Sequence, residues 1–217
     1  VSNWVKEKFF KGLDIQNHTK CIVVYPSIDT IKKLPHKKNI ISFVGKLNRS
    51  KGFHIFGAAI IKILNKYTNW KAIVVGDEPR EKYDFKHKNL EYKGWLSHQK
   101  TLQLYDKTSI SVVPSFWKEP FGRTAMEASA HGCATIISKK GGLVETISHA
   151  VYLSDLNVKK LCKKIEYLII NKKQRIQIQI KSYKNVLHRL DHNTKKIDNY
   201  RSEILLNAGI GVPKKKR

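Results

Sequence analysis

The stretch Pro114 to Gly132 (PSFWKEPFGRTAMEASAHG) constrains this chain more than any other. A β-rich apolar run, Ile110 to Val113, stops at Pro114, a loop carries Glu119, and a helical pattern opens near Gly122 and carries Glu127. Ala125, Ala128 and Ala130 leave room for close packing of that helix. The order is strand, loop, helix, with one acid before the helix and one inside it. In open α/β sheets ligands bind at the carboxyl ends of strands, where helix N-termini aim amides at anions. Phosphates suit the amides, and sugar hydroxyls suit the two carboxylates as acceptors. Two Glu at this spacing also fit a solvated acid plus a favourable first-turn charge, so the pair alone decides nothing.

The rest of the chain repeats the alternation. Apolar runs at Cys21–Tyr25, Ile40–Val44, Trp70–Val75, Leu90–Tyr92, Ser109–Val113, Ala134–Ser138 and Val151–Leu153 read as short strands. Continuous apolar runs of this length are expected of parallel strands buried on both faces. Helical periodicity predicts helices over Val1–Gly12 and Phe53–Tyr67, one after an N-cap at Ser97, and then Val158–Ile170, Gln174–Leu190 and His192–Leu206. Strand–helix alternation, repeated about six times with short Gly-bearing turns, predicts an α/β fold with a doubly wound parallel sheet. Gly45 follows a strand and opens a loop with Lys46 and Lys51, and cations there would neutralise a diphosphate. A plain basic loop is the alternative. Gly76 serves a turn, and Tyr83 to Lys88 reads as a charged surface segment.

Composition narrows the classes. With 217 residues, 41% of them hydrophobic, the chain can bury a sizeable core. No apolar run approaches the roughly 18 residues of a membrane helix. Cys21, Cys133 and Cys162 are odd in number and lack C-x-x-C spacing, which favours a reducing compartment and argues against a zinc site. The formal net charge is +25, yet only seven of 42 basic residues are Arg. Readers of bases and phosphates lean on Arg forks, so no specific nucleic-acid partner is expected. Heavy use of Lys, Ile and Asn together fits an AT-rich coding sequence, and attraction to an anionic membrane or a polyanionic acceptor is the next account of the charge. The closing PKKKR reads as a frayed basic terminus. The chain starts at Val1 without a signal peptide and reads as a fragment or excised domain.

Glu119-Pro120-Phe121-Gly122, Glu127-Ala128, His131-Gly132, and Gly141-Gly142 with Glu145 together resemble the signature of the family 4 (group 1) retaining glycosyltransferases of GT-B fold. In that family the two acids form an E-x7-E motif, and the likeness runs from about Val1 to about Leu206. The resemblance implies the C-terminal, Rossmann-like donor-binding domain of such an enzyme. By resemblance Lys46 and Lys51 contact the donor diphosphate and stabilise the charge growing on it, and with Glu119 they form the catalytic set. Lys46 stands where the family has Arg and lacks its bidentate fork. Glu119 binds hydroxyls of the transferred sugar, Phe121 and Gly122 hold it through backbone, and Glu127 takes the ribose diol. Amides from Phe121 to Thr124, Arg123 among them, add to the field. The strand end at Gly94 and Trp95 approaches the nucleobase, although a partly buried Trp is more often core. The Gly141-Gly142 loop lines the donor pocket, and Glu145 closes the turn after it as a structural residue.

The resemblance further implies a nucleoside-diphosphate-sugar donor, a glycan or lipid-linked acceptor, no metal or other cofactor, and cytoplasmic work at the inner face of the membrane. Residues 1–20 would be an inter-domain connection, 21–190 the nucleotide-sugar domain, 191–208 a crossing helix and 209–217 a basic tail. An N-terminal half carrying the acceptor site is expected in addition. A nucleotide-sugar-binding module without activity and a basic nucleic-acid-binding domain remain as second and third readings.

Overall fold

The computed structural model describes residues 2–13 and 21–209, so the expected linker over 14–20 and the tail from 210 lie outside the described residues. Six strands form one parallel sheet: β1 (Lys38–Val44), β2 (Lys71–Val75), β3 (Leu90–Tyr92), β4 (Thr108–Val113), β5 (Ala134–Ser138) and β6 (Val151–Leu153). Their order is β3-β2-β1-β4-β5-β6, that of a dinucleotide-binding sheet, with the switch point between β1 and β4. β4 and β5 are buried at every position, which accounts for their unbroken apolar character.

Residues alternate between the two faces. Ile41, Phe43, Val74, Ile110 and Ile136 join one core with the helices α2 (Phe53–Lys66) and α5 (Val158–Ile170). On the other side, α3 (His98–Lys107) brings Leu104 against Ile40, Ile73 and Val75, and its Leu102 and Tyr105 pack with Ala128 of α4 (Arg123–Ala130). The helix α1 (Asn3–Gly12) is capped by Ser2, whose hydroxyl accepts from the Val5 amide, and α3 by Ser97 in the expected manner.

Four expectations are corrected. Cys21–Tyr25 is apolar but is not a strand. Its carbonyls are taken by side chains, Lys6 at Cys21, Lys196 at Val23 and Asn193 at Tyr25, so α1 and the long last helix hold it where a sheet would have. The break expected near Leu190 is absent: α6 runs without interruption from Lys172 to Asn207, a stretch free of Gly and Pro. The alternation is also incomplete, since β2–β3 lacks a helix and β5–β6 has only a short 3-10 turn, Gly141–Glu145. Finally, the segment Tyr83 to Lys88 is not merely surface, because Tyr83 and Phe85 pack edge-on against Phe53.

Gly52 joins the start of α2 to the end of β4. Its φ is +75°, and a Cβ there would sit 2.0 Å from the Pro114 carbonyl oxygen. Backbone cannot retreat as a side-chain tip can, so Gly52→Ala should cost about 2–4 kcal/mol from overlap and backbone strain together. Gly12→Ala, where nothing lies within 4 Å of the added carbon, should be near neutral. Urea midpoints for the two variants, at unchanged slope, measure the difference.

Candidate functional site

Two cavities adjoin at the switch point, one of about 350 Å³ and one of about 310 Å³, sharing Val44, Gly45 and Thr124. The first holds Lys51, Glu119, Phe121, Gly122 and Arg123; the second holds Trp95, His98 and Glu127. The cleft therefore lies above the carboxyl ends of β1 and β4, where open parallel sheets bind ligands.

Lys51 and Glu119 meet on the wall of the first cavity. Lys51 Nζ donates to Glu119 Oε1 at 2.6 Å, and the Ser115 hydroxyl donates to the same oxygen at 2.9 Å. The Lys51 side chain is 32% exposed and that of Glu119 only 11%, so a ligand can reach the ammonium. Both loops are held from behind. The Asn48 carboxamide oxygen accepts from the Lys51 amide, and the Ser50 carbonyl accepts from the Phe116 and Trp117 amides. On the far side, the Gly142 amide donates to the Glu119 carbonyl at 2.7 Å. A Cβ at Gly142 would lie 2.2 Å from the Pro120 carbonyl oxygen, which explains a glycine there. The Gly141-Gly142 loop thus supports the Glu119 loop, and neither glycine lines the two cavities, contrary to the expectation from sequence.

α4 begins at Gly122, and among the described residues the Arg123 and Thr124 amides have no backbone acceptor, as the first turn of a helix leaves them. Both residues line the first cavity together with Lys51, so the helix N-terminus stands at its wall. Arg123, with a side chain 60% exposed, reaches Glu127 Oε1 at 3.4 Å across one helical turn. Glu127 is buried and also lies 3.9 Å from His98 Nδ1. Burial raises its pKa, and His98 and Arg123 oppose that rise. Phe121 is buried and stacks on Tyr25 at 5.5 Å, so only its backbone is offered to the cleft. Gly94, with φ +61°, accepts the Gly76 amide through its carbonyl; it is exposed next to Trp95 and, unlike the expectation from sequence, lines neither cavity.

Two expected positions differ from the reading by sequence. Trp95 is not core: it is 77% exposed on the wall of the second cavity. Lys46 is exposed and lines neither cavity, so Lys51 is the lysine the structure brings to the cleft. Glu145 is structural in a specific way, since its carboxylate accepts the Asn3 and Trp4 amides at 2.7 Å each and so caps α1. Ser115 and His98 went unnoticed as site residues; Ser115 gave no signal beyond a turn, and His98 read only as the residue after an N-cap. Burial drives the Cys133 thiol up to about 12, so it is no nucleophile.

The sequence profile described as "Glycosyl transferases group 1" matches residues 25–185. The chain belongs to this family. An uncharacterized glycosyltransferase of Methanocaldococcus jannaschii is 33% identical over 122 residues, covering 52% of this chain and 30% of that protein. The crystal structure of the C-terminal domain of a glycosyl transferase group 1 family protein from Francisella tularensis is 29% identical, with a TM-score of 0.63 over 76% of this chain and 95% of that one. An Anabaena protein solved in complex with UDP and glucose shares the fold at 19% identity, with a TM-score of 0.64 over 76% of this chain and 48% of that one. The fold is that of the C-terminal half of a GT-B glycosyltransferase, and the part matched in the curated archaeal relative is less than half of that relative's length.

Because burial raises the Glu127 carboxyl above its ordinary 4.5, the folded chain favours the protonated form. Stability associated with that form is present below 4.5 and is lost as pH rises through the raised value. Glu127→Gln should therefore match the parent in acid and exceed it in stability at neutral pH, measured by urea unfolding at a series of pH values.

Proposed function

We propose that this chain is the donor-binding half of a glycosyltransferase that moves a sugar from a nucleoside diphosphate to a glycan or lipid-linked acceptor, with retention of configuration and without a metal or other cofactor. The Lys51–Glu119 pair carries this reading. A pair at 2.6 Å on the rim of a cleft, between an open helix N-terminus and a second buried acid, is matched to a ligand with adjacent phosphates and hydroxyls. The Anabaena protein, whose complex contains UDP and glucose, has the same fold and supports the reading.

The diphosphate takes the Lys51 ammonium and the Arg123 and Thr124 amides. Lys51 exchanges a carboxylate for a phosphate, so little charge is left uncompensated. Glu119, released on one side and still held by Ser115, accepts hydroxyls of the transferred sugar beside the Phe121-Gly122 backbone. Glu127 accepts the ribose diol, and the base rests near Gly94 on the exposed face of Trp95. As the glycosidic bond breaks, charge grows on the leaving phosphate, and the preset cation and amides stabilise it without reorganising. Lys46 adds to the potential from the rim. The acceptor is held by an N-terminal half, so the 217 residues alone bind donor and transfer poorly or not at all. The setting is the cytoplasmic face of the membrane where lipid-linked glycans are assembled.

Calorimetry against UDP, GDP, ADP and their sugars tests this. One base should bind, and Lys51→Ala should weaken that nucleotide by about 10–100-fold, the worth of a charge-assisted contact. Glu119→Gln should bind the bare diphosphate at least as tightly as the parent, because Lys51 is no longer engaged, while losing any advantage of the sugar-bearing form. No binding to any nucleoside diphosphate, or transfer by the 217 residues alone, contradicts the proposal.

A further inference from the structure

At the amino ends of the strands, opposite the candidate site, lies a third cavity of about 450 Å³ between the segment entering β1 and the first turns of α6. Its inner wall is closed by polar groups that are already satisfied. Lys37 donates to the Tyr105 and Asp106 carbonyls, Arg175 to the Leu168 and Ile169 carbonyls, and Gln179 to the Ser109 carbonyl. Its rim is different. Ile176 and Ile180, one helical turn apart, are 40% and 38% exposed, and Ile170 beside them is 64% exposed. Lys172 and Lys184 extend the same stripe of α6 at helical spacing, and both are exposed.

Charge on this end is one-sided. The chain has no acid between Asp29 and Asp77, so Lys32, Lys33 and Lys38 enter β1 without a local counterion. From Asn157 to Leu190 the only acid is Glu166, and that one is bonded to Lys66 and Tyr67. Asp106, the nearest acid on α3, is engaged by His131 at 2.8 Å. Among the described residues no ion pair involves Lys172 or Lys184; Lys195–Asp191 lies further along α6. The second half of α6 is mixed in sign, with Asp191, Asp198 and Glu203, so the asymmetry is not simply that of a lysine-rich chain.

We infer that this end of the sheet docks on the surface of an anionic lipid bilayer, with Ile176 and Ile180 entering the headgroup layer and the surrounding lysines meeting lipid phosphates. A lysine field alone would suit any polyanion, but exposed isoleucines within it gain only where an apolar phase lies behind the anions. No helix among the described residues is long and apolar enough to cross a membrane, so the contact is a surface one. The donor cleft opens at the other end of the strands and stays free. The inference does not depend on what that cleft binds.

Co-sedimentation with phosphatidylglycerol–phosphatidylcholine vesicles tests it on the intact chain. The parent should bind these vesicles, lose binding in high salt, and leave pure phosphatidylcholine vesicles unbound. Ile176→Ser/Ile180→Ser keeps every charge and should still lose roughly tenfold or more in partitioning, because both apolar side chains are withdrawn from the interface. Lys172→Glu/Lys184→Glu should lose at least as much, whereas Lys195→Glu/Lys196→Glu should lose less. Circular dichroism establishes that each variant is folded. If the isoleucine variant partitions like the parent, or if both lysine variants lose equally, the charge acts without a docking face and the inference fails. Retention of binding to phosphatidylcholine alone also overturns it.

Discussion

Everything at the carboxyl end of this sheet depends on one ion pair whose partners come from different strands. Lys51 follows β1 and Glu119 follows β4, the two strands that flank the switch point. A partly exposed lysine paired with a largely buried glutamate contributes little net stability by itself, because desolvation offsets much of the attraction. Their placement has a different consequence. Each loop is fixed from behind by backbone bonds, the Ser50 carbonyl on one side and the Gly142 amide on the other. The two charges are thus held at the edge of a cleft by groups that do not take part in it, and either charge can change partner without unfolding its loop.

The same arrangement separates functions along α4. Its first turn carries unbonded amides at the wall of the cavity that holds Lys51, while Glu127, about one turn into the helix and reached by Arg123, sits buried in the adjoining cavity beside His98. One short helix therefore presents an anion-binding end and a hydroxyl-accepting flank to a single cleft. The fully buried Ala125 packs on β4 and β5, Ala128 against α3 and Ala130 against α6, so small side chains on three sides fix where the helix lies. Tyr25 stacked on Phe121, and Glu145 capping α1, tie the N-terminal segment to the same region. The two ends of the sheet differ in kind: one is a cleft with paired charges, the other a lysine field with exposed isoleucine.

Much of this was readable in the sequence, for definite reasons. Strands buried on both faces must be continuous apolar runs, so β1, β2, β4 and β5 announced themselves, and Pro114 and Gly122 bracketed the loop that carries Glu119. The residues that failed did so where a side chain replaced a pattern. Cys21–Tyr25 looks like a strand, but lysine and asparagine side chains satisfy its carbonyls, and periodicity carries no trace of that. Trp95 stands exposed on the wall of the second cavity, in keeping with its assignment to the nucleobase end, and a sequence pattern alone does not separate that from a core position. Gly141 and Gly142 are sites of close approach, as glycines there suggest, and the backbone of Glu119 and Pro120 is what lies against them. The choice between Lys46 and Lys51 also required coordinates, because loop geometry alone decides which of two nearby lysines turns inward.

The exchange of partners at Lys51 is the claim on which the functional account stands, and a crystal structure of the chain with the nucleoside diphosphate it binds tests it most directly. The account requires Lys51 Nζ within hydrogen-bond distance of a phosphate oxygen at the start of α4, with Glu119 turned from it toward the open side of the cleft. A nucleotide bound elsewhere, or one bound in the cleft while the 2.6 Å contact between Lys51 and Glu119 persists and the phosphates lie apart from both, would contradict it.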